Sequence, residues 1–204
     1  MTTTTVPRPT REEVRDRILT AATANFETHG YADTSLRRIA ADAGFTKGAV
    51  YSNFGSKPDL FCQVCTARLA GEEMDIFGAV AAILSRPMAP EALADALSQR
   101  FAEMLIKVVP WQITIAEFRA LARRDTEIAA AYARLTRARV ERMSTMMAAQ
   151  PFLGQFGPEK LRSLAVGALG LVNVLALEHS AAPEVVDRAV ITDVIRRALG
   201  GLFQ

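Results

Sequence analysis

The stretch from Tyr31 to Phe61 constrains the fold of this chain more than any other part of the sequence. From Leu36 to Ala43, apolar residues recur three and four positions apart, which is the spacing of one face of a short helix. Gly44 follows, and glycine readily adopts the positive φ of a tight turn. A second short helix after the turn would bring Val50 and Phe54 to the same inward side. Two short helices joined by a glycine turn predict a helix-turn-helix.

The second of these helices has a polar outer face. Thr46 can cap its first turn, and the side chains that do not face inward are short, polar or basic: Thr46, Lys47, Gly48, Tyr51, Ser52 and Asn53. Such a face suits the phosphates and base edges of DNA. A solvated helix in an ordinary bundle is the alternative, and the polar face alone would favour it. Together with the small Ala40 at the helix crossing, the turn glycine and the branched Val50, the pattern predicts DNA binding.

A further helix precedes this pair. Thr10 can cap it, Glu13 stands three residues on as in a capping box, and Gly30 closes it. Residues 10–57 are therefore predicted to form a three-helix domain with a core of Val14, Ile18, Phe26, Leu36, Ile39, Val50 and Phe54. The Thr- and Pro-rich residues 1–9 are predicted to be a disordered arm.

The net charge of +2 is unevenly distributed. Residues 1–57 carry eight Lys and Arg against six Asp and Glu, whereas residues 58–204 carry sixteen of each, so the surplus lies around the predicted DNA-binding helices. The polar N-terminus lacks the apolar stretch of a signal peptide. The most apolar run, Leu164 to Leu177, is shorter than the ~20 residues that a membrane-spanning helix needs. We therefore expect a cytoplasmic protein.

Residues typical of catalysis or metal binding are sparse. Cys62 and Cys65 form a C-x-x-C pair, but there is no second pair, and the two histidines are His29 and His179. These are too few ligands for a zinc site within one subunit. No glycine-rich phosphate loop or carboxylate cluster is visible. The sequence predicts no enzyme, no metal and no cofactor.

The segment ILTAATANFETHGYADTSLRRIAADAGFTKGAVYSNFGSKPDLF resembles the signature of the tetracycline-repressor (TetR) family of bacterial transcription regulators. The resemblance spans Arg11 to Phe61 and is dense. Its matching positions are the spacing of Phe26, Gly30, Tyr31 and Thr34, the pairs Ile39-Ala40 and Ala43-Gly44, the run Gly48-Ala49-Val50-Tyr51, Phe54, and Ser56-Lys57 before an acidic residue and Leu60. The residues beyond it match no motif, as expected of a family whose C-terminal domain varies with its ligand.

The resemblance also implies roles for single side chains. Arg37, Thr46, Lys47 and Gly48 would approach base edges, Tyr51 and Asn53 would hold phosphates, and Lys57 would bind a phosphate at the start of a fourth helix. A solvated lysine is the alternative for Lys57. Many family members have an aromatic residue and a histidine where this chain has Ser52 and Asn53. The predicted DNA-binding residues are Ser35, Arg37, Thr46, Lys47, Gly48, Tyr51, Ser52, Asn53 and Lys57.

Residues 58–204 are predicted to be an effector-binding and dimerisation domain. A long helix is expected from Pro58 to about Leu84, then a loop, then helices at 91–108, 111–122, 126–149, 159–180 and 184–202. The expected fold is all-α with about nine helices, in an N-terminal three-helix helix-turn-helix domain and a C-terminal helical domain.

The last two helices are predicted to join two subunits. The stretch 161–177 is apolar nearly all round and must be covered on every side. The resemblance implies a homodimer with a four-helix interface, which suits the two half-sites of a near-palindrome. Completion of a monomer's core is the alternative. The predicted interface residues are Leu164, Leu171, Leu175, Val190, Val194 and Ile195.

The middle helices carry bulky apolar side chains that could line a pocket for a small hydrophobic effector. The predicted pocket residues are Phe101, Met104, Leu105, Trp111, Ile115, Phe118, Met143, Met146, Met147 and Asn173. For each residue taken alone, core packing is the stronger interpretation, and the whole set with the resemblance favours a pocket. The alternative for Asn173 is a hydrogen bond across the dimer interface.

The sequence thus predicts a ligand-responsive bacterial transcriptional regulator, a repressor that binds double-stranded operator DNA as a homodimer and is released by its effector. Two other classes stay open. One is an enzyme with an appended DNA-binding head, and the other is an architectural DNA-binding dimer with a solid core and no effector.

Overall fold

The computed structural model describes residues 9–150 and 153–200, without the side chains of residues 72 and 73. This part of the chain is helical and has no strand, which confirms the predicted fold class. Its eight helices are α1 Arg11–His29, α2 Leu36–Ala43, α3 Lys47–Phe54, α4 Lys57–Leu84, α5 Pro90–Leu121, α6 Thr126–Ala148, α7 Pro158–Ala181 and α8 Arg188–Gly200. Residues 1–8 of the predicted arm lie outside the described residues, and so do residues 201 and 202 of the last predicted helix.

The prediction of separate helices at 91–108 and 111–122 is wrong, because α5 runs through Pro110 without a break. Proline lacks a backbone N–H and crowds the preceding turn, which costs about 3 kcal/mol inside a helix. Here Pro110 faces solvent, while Val108, Trp111 and Ile115 around it are buried. Burying each such side chain contributes roughly 1.5–3 kcal/mol. Packing therefore outweighs the proline, and the described chain has one helix fewer than expected.

The chain divides into two compact units, Met1–Cys65 and Thr66–Gln204. In the first unit, α1 begins with the predicted capping box. The Thr10 hydroxyl accepts a hydrogen bond from the Glu13 N–H at 3.2 Å, and the Thr10 N–H donates to the Glu13 carboxylate at 2.7 Å. Because that backbone hydrogen bond favours the ionised carboxylate, it lowers the pKa of Glu13.

The core of the first unit contains the predicted residues, of which all but the half-buried Val14 are buried. α4 adds to this core. The Phe61 ring packs edge-on against the rings of Phe26 and Tyr31, at centre-to-centre distances of 5.0 and 5.1 Å. The first turns of α4 therefore pack against α1 and the loop that follows it, so the core of the first unit extends beyond residue 57.

In the second unit, α5 is the central helix and packs against α6, α7 and α8. Three apolar clusters hold these helices together. The first cluster joins α5, α7 and α8, and its buried members are Ala102, Leu105, Leu175, Ala176, Ile191 and Ile195. The second joins α4 and α5 through Ile76, Val80 and Leu97. The third joins α6 and α7 through Val140, Ala165 and Leu169.

One helix of the described chain, α7, could cross a membrane by length and composition alone. The helix extends beyond the apolar run Leu164 to Leu177 at both ends, so the length of that run does not decide whether α7 could span a membrane. Only 22% of its most apolar 18-residue window is buried inside the chain. Val166 and Val174 are more than half exposed, so α7 presents an apolar surface that the described residues do not cover.

Candidate nucleic-acid interface

The helix-turn-helix forms where the glycine and the caps predict it. The Ser35 hydroxyl accepts from the Arg38 N–H at 3.2 Å at the start of α2, and Gly44 ends that helix with φ 75° and ψ 31°. Side chains other than glycine pay about 1–2 kcal/mol in this left-handed conformation. The Thr46 hydroxyl then accepts from the Ala49 N–H at 3.2 Å and caps α3.

The inward and outward faces of α3 are the predicted ones. Val50 and Phe54 are buried, as is Ala40 at the crossing with α2. Thr46, Lys47, Gly48, Tyr51 and Ser52 are exposed and Asn53 is half-buried. The Lys47 ammonium lies 5.4 Å from the centre of the Tyr51 ring, so a cation and an aromatic hydroxyl project from one patch.

Ser52 and Asn53 direct their side chains back to their own helix. The Ser52 hydroxyl and the Asn53 amide both donate to the Ala49 carbonyl oxygen, at 3.0 and 2.8 Å. The hydroxyl of Ser52 has a single proton to donate. In this conformation, the last turn of α3 has fewer side-chain donors for a phosphate than its sequence suggests.

Gly48 lies in the first turn of α3 with open space around it. A Cβ built there would have the Thr46 hydroxyl oxygen as its nearest neighbour, at an ordinary van der Waals distance of 3.7 Å. Its φ does not require glycine either, because it lies outside the left-handed region. Nothing that packs within the described chain therefore accounts for the missing side chain.

Two further predicted DNA-binding residues flank α3. Arg37 is exposed on α2. Lys57, at the start of α4, donates to the Ala32 carbonyl oxygen at 3.2 Å, and its ammonium lies 4.3 Å from the centre of the Tyr31 ring. Its position is thus defined by the loop between α1 and α2.

Sequence reasoning missed the polar contacts that hold this unit together. Asn25 is 5% exposed, and its amide donates to the Asp42 carboxylate on α2 at 2.7 Å. The buried Thr34 hydroxyl contacts the carbonyl oxygens of Asn25 and Gly30, at 3.1 and 2.7 Å. Asn25 could have been noticed as a polar residue inside the apolar stripe of α1. Two arginines of α1 that contact α2 and α3 gave no such signal.

Comparison with known proteins places this helix-turn-helix in a family. Residues 18–64 match the model of the bacterial regulatory proteins of the tetR family. The chain is also 34% identical over 99 residues to the uncharacterized HTH-type transcriptional regulator TtgW of a Pseudomonas putida strain, and that match covers 47% of this chain and 74% of TtgW. The chain belongs to the TetR family.

Other members resemble this TetR-family chain over different shares of their length. The HTH-type transcriptional regulator SrpR of Pseudomonas putida is 35% identical over 99 residues, which are 47% of this chain and 46% of SrpR. The chain thus matches about half the length of that relative. A TetR-family regulator from Rhodococcus sp. has the same fold, with a TM-score of 0.65 and 18% identity over 95% of this chain and 100% of the other. SrpR and TtgW are named HTH-type transcriptional regulators, and this chain shares with them the helix-turn-helix domain of the TetR family.

The residues predicted for the effector pocket of the TetR-family chain are distributed over its apolar clusters. Leu105, Trp111, Ile115 and Phe118 are buried, and Phe101, Met104, Met143, Met146, Met147 and Asn173 are half-buried. Leu105 belongs to the α5–α7–α8 cluster, Met104 packs on the α4–α5 cluster, and Met143 and Met147 pack on the α6–α7 cluster. The Asn173 side-chain oxygen is buried and has no hydrogen-bond partner among the described residues.

Among the cavities formed by the described residues, two lie between helices of the second unit. A groove of about 920 Å³ between α6 and α7 is lined by the apolar Val140 and Val166, by Arg137 and Arg162, and by several hydroxyls, but by none of the predicted pocket residues. A smaller one of about 210 Å³ between α4 and α5 includes Met104 among charged side chains.

The residues predicted for the dimer interface differ in exposure. Leu175 and Ile195 are buried within the chain, Leu164, Leu171 and Val194 are half-buried, and Val190 is exposed. On the exposed face of α7, no atom of the described residues lies within 4 Å of a Cβ built at Gly167 or Gly170.

Proposed function

We propose that this TetR-family chain is a ligand-responsive repressor that binds a near-palindromic operator as a homodimer and is released by a small hydrophobic effector. Residues 10–57 would contact DNA, and residues 58–204 would bind the effector and form the dimer. A protein with this function works in the cytoplasm. The observation that carries the proposal is the exposed first turn of α3 around Gly48.

A glycine in a helix lowers stability by roughly 0.5–1 kcal/mol relative to alanine. Gly48 has room for a Cβ and a φ that any residue can adopt, so the chain itself gains nothing from it. Close approach of another molecule is the remaining use of a missing side chain. Thr46 and Lys47 precede Gly48 on the same exposed surface. Because their side chains carry donors that suit base edges, the approaching molecule is best explained as DNA, contacted in its major groove.

The assignment of contacts follows from exposure and donors. Thr46, Lys47 and Arg37 are exposed and carry donors that suit base edges, with Ser35 beside Arg37 at the start of α2. Tyr51, which is 46% exposed, would donate its hydroxyl to a phosphate. Lys57 would add a charge at the N-terminus of α4. Ser52 and Asn53 would contribute less, since both donate to Ala49.

The proposed dimer rests on the uncovered apolar face of α7. Val166 and Val174 are 54% and 57% exposed, and the two glycines between them would let a second helix approach closely. Val190 of α8 is also exposed, at 41%. A second copy of α7 and α8 would cover these side chains in a four-helix interface, to which Leu164, Leu171 and Val194 would contribute. The Asn173 side-chain oxygen is already buried within its own chain, so a hydrogen bond across this interface would require that side chain to turn outward.

The effector site is supported by the space between the helices. Ligand pockets typically have volumes of about 300–1,000 Å³ with apolar walls and a few polar groups, and the groove between α6 and α7, at about 920 Å³, lies within that range. The predicted pocket residues border the clusters around it through Met143 and Met147. An effector would release DNA by favouring a dimer geometry that does not fit two adjacent half-sites.

Selection of bound fragments from genomic DNA would first supply an operator. Gly48→Ala should then keep or raise the melting temperature and lower operator affinity by at least about tenfold, the loss expected for one displaced base contact. Gly78→Ala is the matched control, because Gly78 is also helical, exposed and open. Unchanged operator affinity of the Gly48 variant would remove the assignment of α3 as the recognition helix.

The effector is tested separately. Small hydrophobic compounds added to the protein–operator complex should release the DNA, and the same compounds should raise the melting temperature of the free protein. A compound that stabilises the protein without releasing the operator would contradict the proposed coupling. Absence of any stabilising compound would favour an architectural dimer.

A further inference from the structure

Two arginines of α1 each reach the carboxyl end of one helix of the helix-turn-helix. Arg17 donates to the carbonyl oxygen of Ala43, the last residue of α2, at 2.9 Å. Its guanidinium carbon lies 4.7 Å from the centre of the Phe45 ring. It also lies against the turn, because a Cβ at Gly44 would be 2.9 Å from its Nη2.

Arg15 makes the equivalent contacts at the end of α3. Its Nη1 donates to the Asn53 carbonyl oxygen at 3.2 Å, and its guanidinium carbon lies 4.6 Å from the centre of the Phe54 ring. Its Nη2 donates to the Gln63 side-chain oxygen on α4. One half-buried side chain thus joins α1, α3 and α4.

The chemistry of these contacts suits a positioning role. The last carbonyl groups of a helix lack hydrogen-bond donors within the helix and carry partial negative charge. A cationic side chain at this end supplies a donor and also neutralises the charge. The planar guanidinium can donate to two acceptors at fixed angles while it lies on an aromatic ring, which a lysine ammonium cannot do. Arg15 therefore restrains the orientation of α3 as well as its distance from α1.

We propose that Arg15 is a positioning residue for DNA recognition, which holds α3 at the angle to α1 and α4 that presents its first turn to the base edges. The proposal rests on the proposed function, because it takes α3 as the recognition helix. Arg15 would act without touching DNA, since its guanidinium is already held by Asn53, Phe54 and Gln63. Its loss should weaken sequence-specific binding and leave the general attraction to DNA intact.

The test compares Arg15→Met with Arg11→Met, which removes the same charge from an exposed position of the same helix. Each full-length variant is titrated with the operator and with an unrelated duplex at several salt concentrations. For Arg15→Met we expect operator affinity to fall about tenfold or more. Affinity for the unrelated duplex and its salt dependence should match those of Arg11→Met.

If the ratio of operator affinity to non-operator affinity is the same in Arg15→Met as in Arg11→Met, the proposal is overturned. A decrease of about one in the salt slope of Arg15→Met relative to Arg11→Met would also overturn it, because that is the sign of a direct phosphate contact. Arg15→Lys keeps the charge but loses the planar fork, and we expect it to resemble Arg15→Met. A lysine variant with the wild-type ratio would also contradict the proposal.

A measurement without DNA separates this inference from the proposed function. Residual dipolar couplings of the backbone amides report the angle between α1 and α3 in the full chain, and we expect that angle to change in Arg15→Met and Gln63→Leu but not in Arg11→Met. The Gln63 variant serves if Arg15→Met fails to fold. An unchanged angle would overturn the positioning role, whereas a changed angle in a protein that shows no sequence preference would overturn the proposed function alone.

Discussion

The ammonium of Lys57 lies 4.3 Å from the centre of the Tyr31 ring and donates to the neighbouring Ala32 carbonyl oxygen at 3.2 Å. The tyrosine ring itself packs against Phe26 and Phe61 at 6.0 and 5.1 Å between ring centres. The cation therefore stands at the edge of the aromatic core of the first unit. A phosphate that meets Lys57 would meet a charge held at a defined place at the N-terminus of α4.

Lys57→Ala should weaken binding to all DNA sequences, because a phosphate contact carries no sequence information. The slope of log affinity against log salt should decrease by about one. Fluorescence titrations with the operator and an unrelated duplex at several salt concentrations would measure both effects.

Lys160→Ala provides the matched control for this variant. Lys160 also lies over an aromatic ring, 3.8 Å from the centre of Phe156, but it belongs to the second unit. The Lys160→Ala variant loses the same charge and the same kind of ring contact as Lys57→Ala. Because Lys160 lies outside the unit that is proposed to contact DNA, the salt slope of this variant should stay at the wild-type value. A loss confined to the operator in Lys57→Ala would contradict the phosphate role.

Gly44→Ala should destabilise the protein by about 1–2 kcal/mol, the cost of a side chain in the left-handed conformation. The new methyl would in addition lie 2.9 Å from Arg17 Nη2 and displace that group from its contact with α2. Denaturant unfolding would measure the change, with the open helical Gly78→Ala as the control. A Gly44 variant as stable as wild type would show that the turn tolerates a side chain.

Val174→Glu should shift the protein from dimer to monomer. The side chain is 57% exposed on α7, and a carboxylate placed there would have to be buried without a partner in the proposed interface. We expect the dimer dissociation constant to rise by at least about tenfold in sedimentation experiments at micromolar concentration. Ile113→Glu on α5, where the isoleucine is 42% exposed, is the control. A monomeric wild-type protein would overturn the interface.

The sequence predicted the parts of the fold that local chemistry determines. The capping box of Thr10 and Glu13, the turn at Gly44 and the cap at Thr46 depend on residues a few positions apart, and all three are confirmed. The inward position of Val50 and Phe54 follows from helical spacing. Arg15 was missed because its partner Asn53 lies 38 residues away, and no periodicity connects them.

Where tertiary packing overrides a local rule, the sequence prediction fails. Pro110 would end an isolated helix, but the buried side chains on both sides of it keep α5 continuous. The predicted pocket residues illustrate a different difficulty. A large apolar side chain such as Met143 or Phe118 can line a core or a cavity equally well, and the choice depends on where the facing helix lies. The spacing of residues along one helix does not contain that information.

The shared use of the Ala49 carbonyl by Ser52 and Asn53 bears on how much information one recognition helix can extract. If the last turn of α3 keeps its donors for its own backbone, each half-site is distinguished through a small number of base pairs near the first turn. A short half-site recurs often by chance in a genome. For an operator with such half-sites, the distance between the two recognition helices of a dimer becomes the main source of selectivity. An effector that alters this distance would therefore remove most of the preference for the operator over other DNA.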